Sequence, residues 1–155
     1  LGKALTGGNL PLAATVASDR IFAAFLDNDP ARSLMHGPTF MGNALACASA
    51  NASLDLFESE PRLADVARIE RHLQQALAPA RTLPGVVDVR IKGAIGAIEL
   101  EKLDRNLLRR KFLERGVWIR PFGNIVYTTP PLSIDDGDLA RLTTAMVDVV
   151  RETNA

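Results

Sequence analysis

Cysteine is almost missing from this sequence. Cys47 is the only one in 155 residues, so no disulfide can close within the chain. That excludes a disulfide-stapled secreted scaffold and fits a reducing compartment. Histidine is nearly as scarce: His36 and His72 stand far apart with no cysteine cluster, which leaves no zinc-ligand spacing. An excess of either charge is absent too. Eighteen basic and eighteen acidic residues cancel, so neither nucleic acid nor an anionic membrane surface is expected as a partner. No apolar run reaches the roughly 18 residues of a membrane-spanning helix. No secretory leader, internal repeat or low-complexity linker is visible. Methionine is missing from the first position, which Leu1 occupies, so a piece of a longer product is expected.

What remains is an ordinary globular composition. Apolar residues are 47% of the chain, enough to bury a core rather than stay disordered. The length suits one domain, or a small domain with the edge of another.

Residues 1–18 read as a loop and then a strand over 12–17, with turn chemistry in Thr6-Gly7-Gly8-Asn9. Ser18-Asp19 begins a short helix that Asp27 to Pro30 breaks. A loop from Leu34 to Phe40 leads to Asn43, which opens a long helix to about Glu58. Its alanines predict close packing on several faces. Glu60-Pro61 starts a second long helix with apolar positions at helical spacing. Val86 to Lys92 alternates as a strand does and Gly93 ends it. A second strand covers 94–101, where central Gly96 predicts close backbone approach or a bulge. Asp104 caps a helix that Gly116 ends. Strands at 117–121 and 125–128 flank a turn at Phe122-Gly123-Asn124, and a last helix begins at Ser133 to Asp136. The residues after about 62 read as a βαβ-like α/β unit, and 1–58 as the end of a different, larger one.

Lys3 stands among small and apolar residues. A primary amine so placed can lose its proton and attack a carbonyl to form a Schiff base. A lysine near a chain end is more commonly solvated and frayed. Gly37-Pro38-Thr39 reads either as a turn before a helix cap or as a phosphate contact, the hydroxyl and backbone N–H being good neutral donors. Arg120, between Ile119 and Pro121, suits a rigid, partly buried fork for a carboxylate, or a structural ion pair. Tyr127 reads as a half-buried strand tyrosine, and Cys47 as an inert core residue. His36 is expected to orient its loop.

Three blocks occur in order: Gly2 to Gly8, His36-Gly37-Pro38-Thr39-Phe40-Met41-Gly42-Asn43, and Gly116-Val117-Trp118-Ile119-Arg120-Pro121-Phe122-Gly123-Asn124. Together they resemble the C-terminal part of the class III pyridoxal-phosphate aminotransferases, over essentially the whole chain. The second and third blocks are the more specific, and they resemble the family's biotin-pathway branch.

The resemblance implies an α/β fold: the C-terminal part of a fold-type I aminotransferase. Residues 1–58 would be the tail of the large cofactor-binding domain and 59–155 the small domain. It implies a cytoplasmic, homodimeric transferase that uses pyridoxal 5'-phosphate to move an amino group from S-adenosylmethionine to 8-amino-7-oxononanoate. Lys3 matches the lysine that holds the cofactor. Pro38 and Thr39 match the pair on its phosphate, reaching across the dimer, and Gly37 a backbone contact to substrate. Arg120 matches the arginine that pairs with the substrate carboxylate, and Tyr127 a pocket tyrosine. Two positions depart from the family pattern: Ala44 replaces a proline and Leu132 an aromatic that would shape the pocket wall. The resemblance also puts the acidic partner of the cofactor ring nitrogen, the stacking aromatic and the main phosphate cradle before Lys3. Another class III ω-aminotransferase, or a catalytically silent α/β domain, are the competing readings.

Overall fold

Short elements with little beneath them precede one long helix in the first sixty residues of the computed structural model, which describes residues 1–153. Lys3–Thr6 is a 3-10 turn, and helix α1 runs only over Asp19–Ala23, one turn past its Ser18 start. Residues 12–17 are not a strand. An extended segment needs a neighbour's ladder, and here the main chain pairs only at Ala14, whose N–H and C=O bond Leu1 at 2.9 and 2.7 Å.

Helix α2, Ala44–Ser59, starts where expected: the Asn43 carboxamide oxygen accepts from the Ala46 N–H at 3.1 Å. Burial on several faces is not found. Only Ala46 and Ala50 are buried, while Leu45, Leu54, Leu56 and Phe57 are exposed. The small residues pack one face of α2 on the Lys3–Thr6 turn. Cys47 is half-buried rather than part of a core.

From Arg62 onward the chain forms a separate packed unit. Helix α3, Arg62–Ala76, follows Pro61, and strands β1, Val86–Lys92, and β2, Ile95–Leu100, form a hairpin turned at Gly93. Helix α4, Arg105–Glu114, is capped by the Asp104 carboxylate, which accepts from the Asn106 and Leu107 N–H groups. Gly116 then turns left-handed, φ 68°, and ends it. Strand β3, Ile125–Thr128, and helix α5, Asp136–Thr153, complete the unit. The mixed α/β character is as expected, but the βαβ-like crossover is not. The sheet order is β1-β2-β3 and both pairs are antiparallel, so α4 links antiparallel strands.

The core of this unit lies on one face of the sheet. Val89, Ile98, Leu100 and Val126 point inward from the strands, and Leu73, Phe112 and Met146 meet them from α3, α4 and α5. Each such side chain contributes about 1.5–3 kcal/mol on burial. Gly96 serves close approach: a Cβ there would lie 2.9 Å from Leu77 Cδ1 and 3.3 Å from Leu73 Cδ2. The bulge sits elsewhere, between Val86 and Asp88. Among the described residues, no helix is long and apolar enough to cross a membrane.

Candidate active site

Lys3 is the one non-glycine among the described residues with a positive φ, 46°. The left-handed conformation presses Cβ on the following carbonyl and costs about 1 kcal/mol. It persists because the loop around it is over-determined. Thr6, 1% exposed, clamps Leu10 from both sides: its hydroxyl donates to the Leu10 carbonyl at 2.5 Å and accepts from the Leu10 N–H at 3.3 Å. The Thr6 carbonyl in turn accepts from Asn9 Nδ2 and from the Ser49 hydroxyl of α2, each at 3.1 Å. Gly7, φ 61°, closes the turn on the Ala4 carbonyl. The Lys3 side chain is exposed, and its ammonium makes no ion pair or hydrogen bond among the described residues. Two shallow depressions flank it, lined by Ala4, Gly7 and Gly8 on one side and by Gly2, Leu12 and Ala13 on the other.

Gly37, Pro38 and Thr39 lie in the same unit, in the loop before α2, and all three are exposed. Pro38 opens a turn whose carbonyl accepts from the Met41 N–H at 3.0 Å, and left-handed Gly42 hands the chain to Asn43. The Thr39 hydroxyl has no partner among the described residues. A donor kept free at the rim of a turn is available to a ligand. Among the described residues the His36 ring makes no hydrogen bond, and its main-chain N–H donates to the Leu34 carbonyl. These residues share neither a hydrogen bond nor a depression with Lys3 among the described residues.

Arg120 and Tyr127 do come together. They line one cleft of about 400 Å³ in the second unit, with Trp118, Thr129, Pro130 and Leu142 on its walls. Residues 117–121 are not a strand, although burial alternates along them: Val117, Ile119 and Pro121 are buried, Trp118 and Arg120 exposed. The period of two is that of a strand, but no neighbour pairs with it. Its side-chain consequence survives, because Trp118 and Arg120 emerge on the same side. The expected part-burial of Arg120 is not found, and neither is a structural ion pair. Its guanidinium is exposed and unpaired among the described residues, which leaves both edges of the fork open to a carboxylate. Tyr127, 36% exposed, stands opposite Ala97 on β2. Leu132 does not line this cleft; it packs against the core.

The turn after Arg120 is held by Asn124, whose Nδ2 donates to the Leu100 carbonyl at 3.1 Å and to Glu99 at 3.3 Å. The Glu99 carboxylate sits below the usual carboxylate range, chiefly through its bond to Arg90 and then through Asn124. Asp88 is lowered as well, by Arg90 first and by the Val89 N–H. The same two carboxylates raise Arg90, Glu99 more than Asp88.

Three further residues belong to these places, Thr6 and Ser49 beside Lys3 and Trp118 beside Arg120. Thr6 and Ser49 are hidden in turn and helix chemistry, although a threonine directly before Gly-Gly-Asn is a known kind of side-chain-to-backbone turn former. For Trp118 the available signal is its spacing of two from Arg120, which puts both side chains on one side.

The family model for class-III aminotransferases matches residues 1–150. The adenosylmethionine-8-amino-7-oxononanoate aminotransferase of Corynebacterium glutamicum is 43% identical over 152 residues, 97% of this chain and 36% of that protein. The crystal structure of the same-named enzyme from Methanocaldococcus jannaschii superposes with a TM-score of 0.86 at 35% identity, over 97% of this chain and 37% of that one. An amine transaminase from an uncultivated Pseudomonas species, solved in its PLP-bound form, also gives 0.86, at 27% identity over 99% of this chain and 38% of that one. The chain thus spans little more than a third of the length of the relatives it matches. These neighbours share the fold-type I aminotransferase architecture, and the family match runs through Lys3, Thr39 and Arg120 alike: the chain belongs to the class-III aminotransferases.

Proposed function

We propose that this chain is the C-terminal part of a pyridoxal-phosphate aminotransferase that moves an amino group from S-adenosylmethionine to 8-amino-7-oxononanoate, giving 7,8-diaminononanoate for biotin. The observation that carries the reading is the family match through the lysine block, together with relatives of that name at 35–43% identity. Residues 1–58 are then the end of the large cofactor-binding domain and 59–155 the small domain, within a cytoplasmic homodimer.

The residues present fit the cofactor. Lys3 offers a primary amine with no internal partner, and Thr39 a hydroxyl with none. When bound, pyridoxal phosphate supplies an electron sink for charge left on the amino-bearing carbon. Lys3 Nζ would hold the cofactor and, as a free amine, could take a proton from and return it to the amino-bearing carbon. Pro38 and Thr39 hold the phosphate, with the Thr39 hydroxyl donating. Gly37 lets substrate approach the main chain. Arg120 takes the acceptor's carboxylate in a two-bonded fork, and Tyr127 walls the pocket beside it.

The 155-residue chain alone is catalytically silent in this reading, because the residues that surround the cofactor ring come from elsewhere in the enzyme. The test is an amino-transfer assay on the enzyme carrying this chain at its natural length. Formation of 7,8-diaminononanoate with S-adenosylmethionine as donor supports the proposal. Transfer from ω-amino acids and none from S-adenosylmethionine overturns it. Arg120→Ala should weaken acceptor binding at least severalfold, as for loss of a charged, two-bonded contact to a carboxylate; an unchanged acceptor affinity removes Arg120 from the site.

A further inference from the structure

A catalytic lysine must present its amine in one place, and a left-handed residue in a glycine-rich loop is an unpromising way to do so. The loop 1–14 has two closures. At its base Leu1 and Ala14 exchange both main-chain bonds. At its waist the Thr6 hydroxyl does what a second ladder rung would do, donating to one group of Leu10 and accepting from the other. Lys3 lies between the two closures. Gly2, Gly7 and Gly8 would otherwise give this stretch wide backbone freedom.

Thr6 is also the most buried residue of the loop, and every polar group it carries toward the interior is used. The Ser49 hydroxyl anchors the Thr6 carbonyl to α2 across 43 residues of sequence. The side chain of Thr6 is thus bonded to the loop and its main chain to the helix. A threonine that merely filled space would need neither.

We infer that Thr6 is the positioning residue for the Lys3 amine, with Ser49 as its anchor. In this role Thr6 acts through the loop that carries Lys3, since its side chain bonds Leu10 and its carbonyl bonds Asn9 and Ser49. It holds the 3-10 turn closed on Leu10, and the closed turn keeps Lys3 left-handed and its side chain aimed in one direction. This rests on the reading of Lys3 as the cofactor lysine. Misplacing a reacting group by about 1 Å can cost on the order of a hundredfold in rate. A loop loosened on one side should lose part of that.

The experiment uses the enzyme carrying this chain at its natural length, loaded with pyridoxal phosphate and reduced with borohydride, which fixes the cofactor on whichever amine it has joined. Peptide mass spectrometry then gives the ratio of labelling at Lys3 to labelling at Lys102, an exposed lysine on a turn of the second unit. Wild type should label Lys3 in large excess. Thr6→Val keeps the shape and removes both bonds to Leu10. It should lower the ratio about tenfold and lower kcat with little change in KM, a fraction of the full misplacement effect. Thr6→Ser, which restores the hydroxyl, should recover both. An unchanged ratio in Thr6→Val, or no recovery in Thr6→Ser, overturns the positioning role while leaving Lys3 as the cofactor lysine. Equal labelling of Lys3 and Lys102 in wild type overturns that reading and the inference with it. If Thr6→Val fails to fold, Ser49→Ala decides: a ratio lowered about threefold, as for one lost anchor bond, supports the inference, and an unchanged ratio overturns it.

Discussion

The two units of this chain draw on the same kinds of residue and spend them differently. In the second, apolar side chains meet from three helices and a sheet, and Phe112, Leu73, Ile98 and Met146 lose all contact with water. In the first, Phe22, Met35, Phe40 and Phe57 are at least half exposed, and only Thr6, Ala46 and Ala50 are buried. Secondary structure is nonetheless present in both. Helix caps, glycine stops and turns form from local rules, whereas a core needs partners that local rules do not supply. Within these 155 residues the proposed cofactor lysine lies in the unit without a core, and its loop is closed by hydrogen bonds.

The sharpest way to test this contrast is to truncate one aromatic in each unit. Phe112→Ala should destabilise the second unit by about 3–5 kcal/mol, as for a fully buried phenylalanine. Phe57→Ala should stay within about 0.5 kcal/mol, as for a surface change. Urea unfolding followed by circular dichroism measures both. Comparable losses at the two positions would dissolve the distinction between the units.

A smaller effect is expected at Gly96, where the sheet runs against Leu77 and Leu73. Gly96→Ala adds a methyl into space already filled and should cost about 1–3 kcal/mol. A neutral or stabilising result would show that Leu77 can move aside.

That glycine also marks how much was legible before the structure. Strand β1, its stop at Gly93, the caps Asn43 and Asp104 and the end of α4 at Gly116 were all readable, because each depends on a few adjacent residues. Residues 12–17 and 117–121 carry strand-like patterns without becoming strands, because a strand is completed only by a neighbour. The same limit applies to α2, whose alanines permit close packing but do not provide a surface to pack on. The direction of the β2–α4–β3 connection is not legible in sequence, because a helix between two strands says nothing by itself about whether they run parallel. Arg120 and Tyr127 were readable as residues, and their common cleft was not. Thr6 and Ser49, 43 residues apart, were not readable as a pair at all.

The smallest effect concerns charge at the sheet surface. Asp88 and Glu99 are both held below the usual carboxylate range, chiefly by Arg90. A carboxylate lowered in the folded state binds fewer protons there than in the unfolded chain. Its contribution is therefore present above the usual carboxylate range and is lost as pH falls through that range toward the lowered folded values. The second unit should lose a little stability on acidification, and Arg90→Ala should flatten that part of the pH profile. Melting temperature against pH reads the difference. A profile with the same acid slope in the variant would show that the Arg90 bonds contribute nothing measurable, as exposed pairs often do.

The central claim is that Lys3 holds pyridoxal phosphate, and the visible absorbance of the cofactor-loaded enzyme tests it most directly. The enzyme carrying this chain at its natural length should show a cofactor band at the edge of the visible that is lost when Lys3→Ala removes the amine. The same band in the Lys3→Ala protein, surviving removal of free cofactor, would contradict the account.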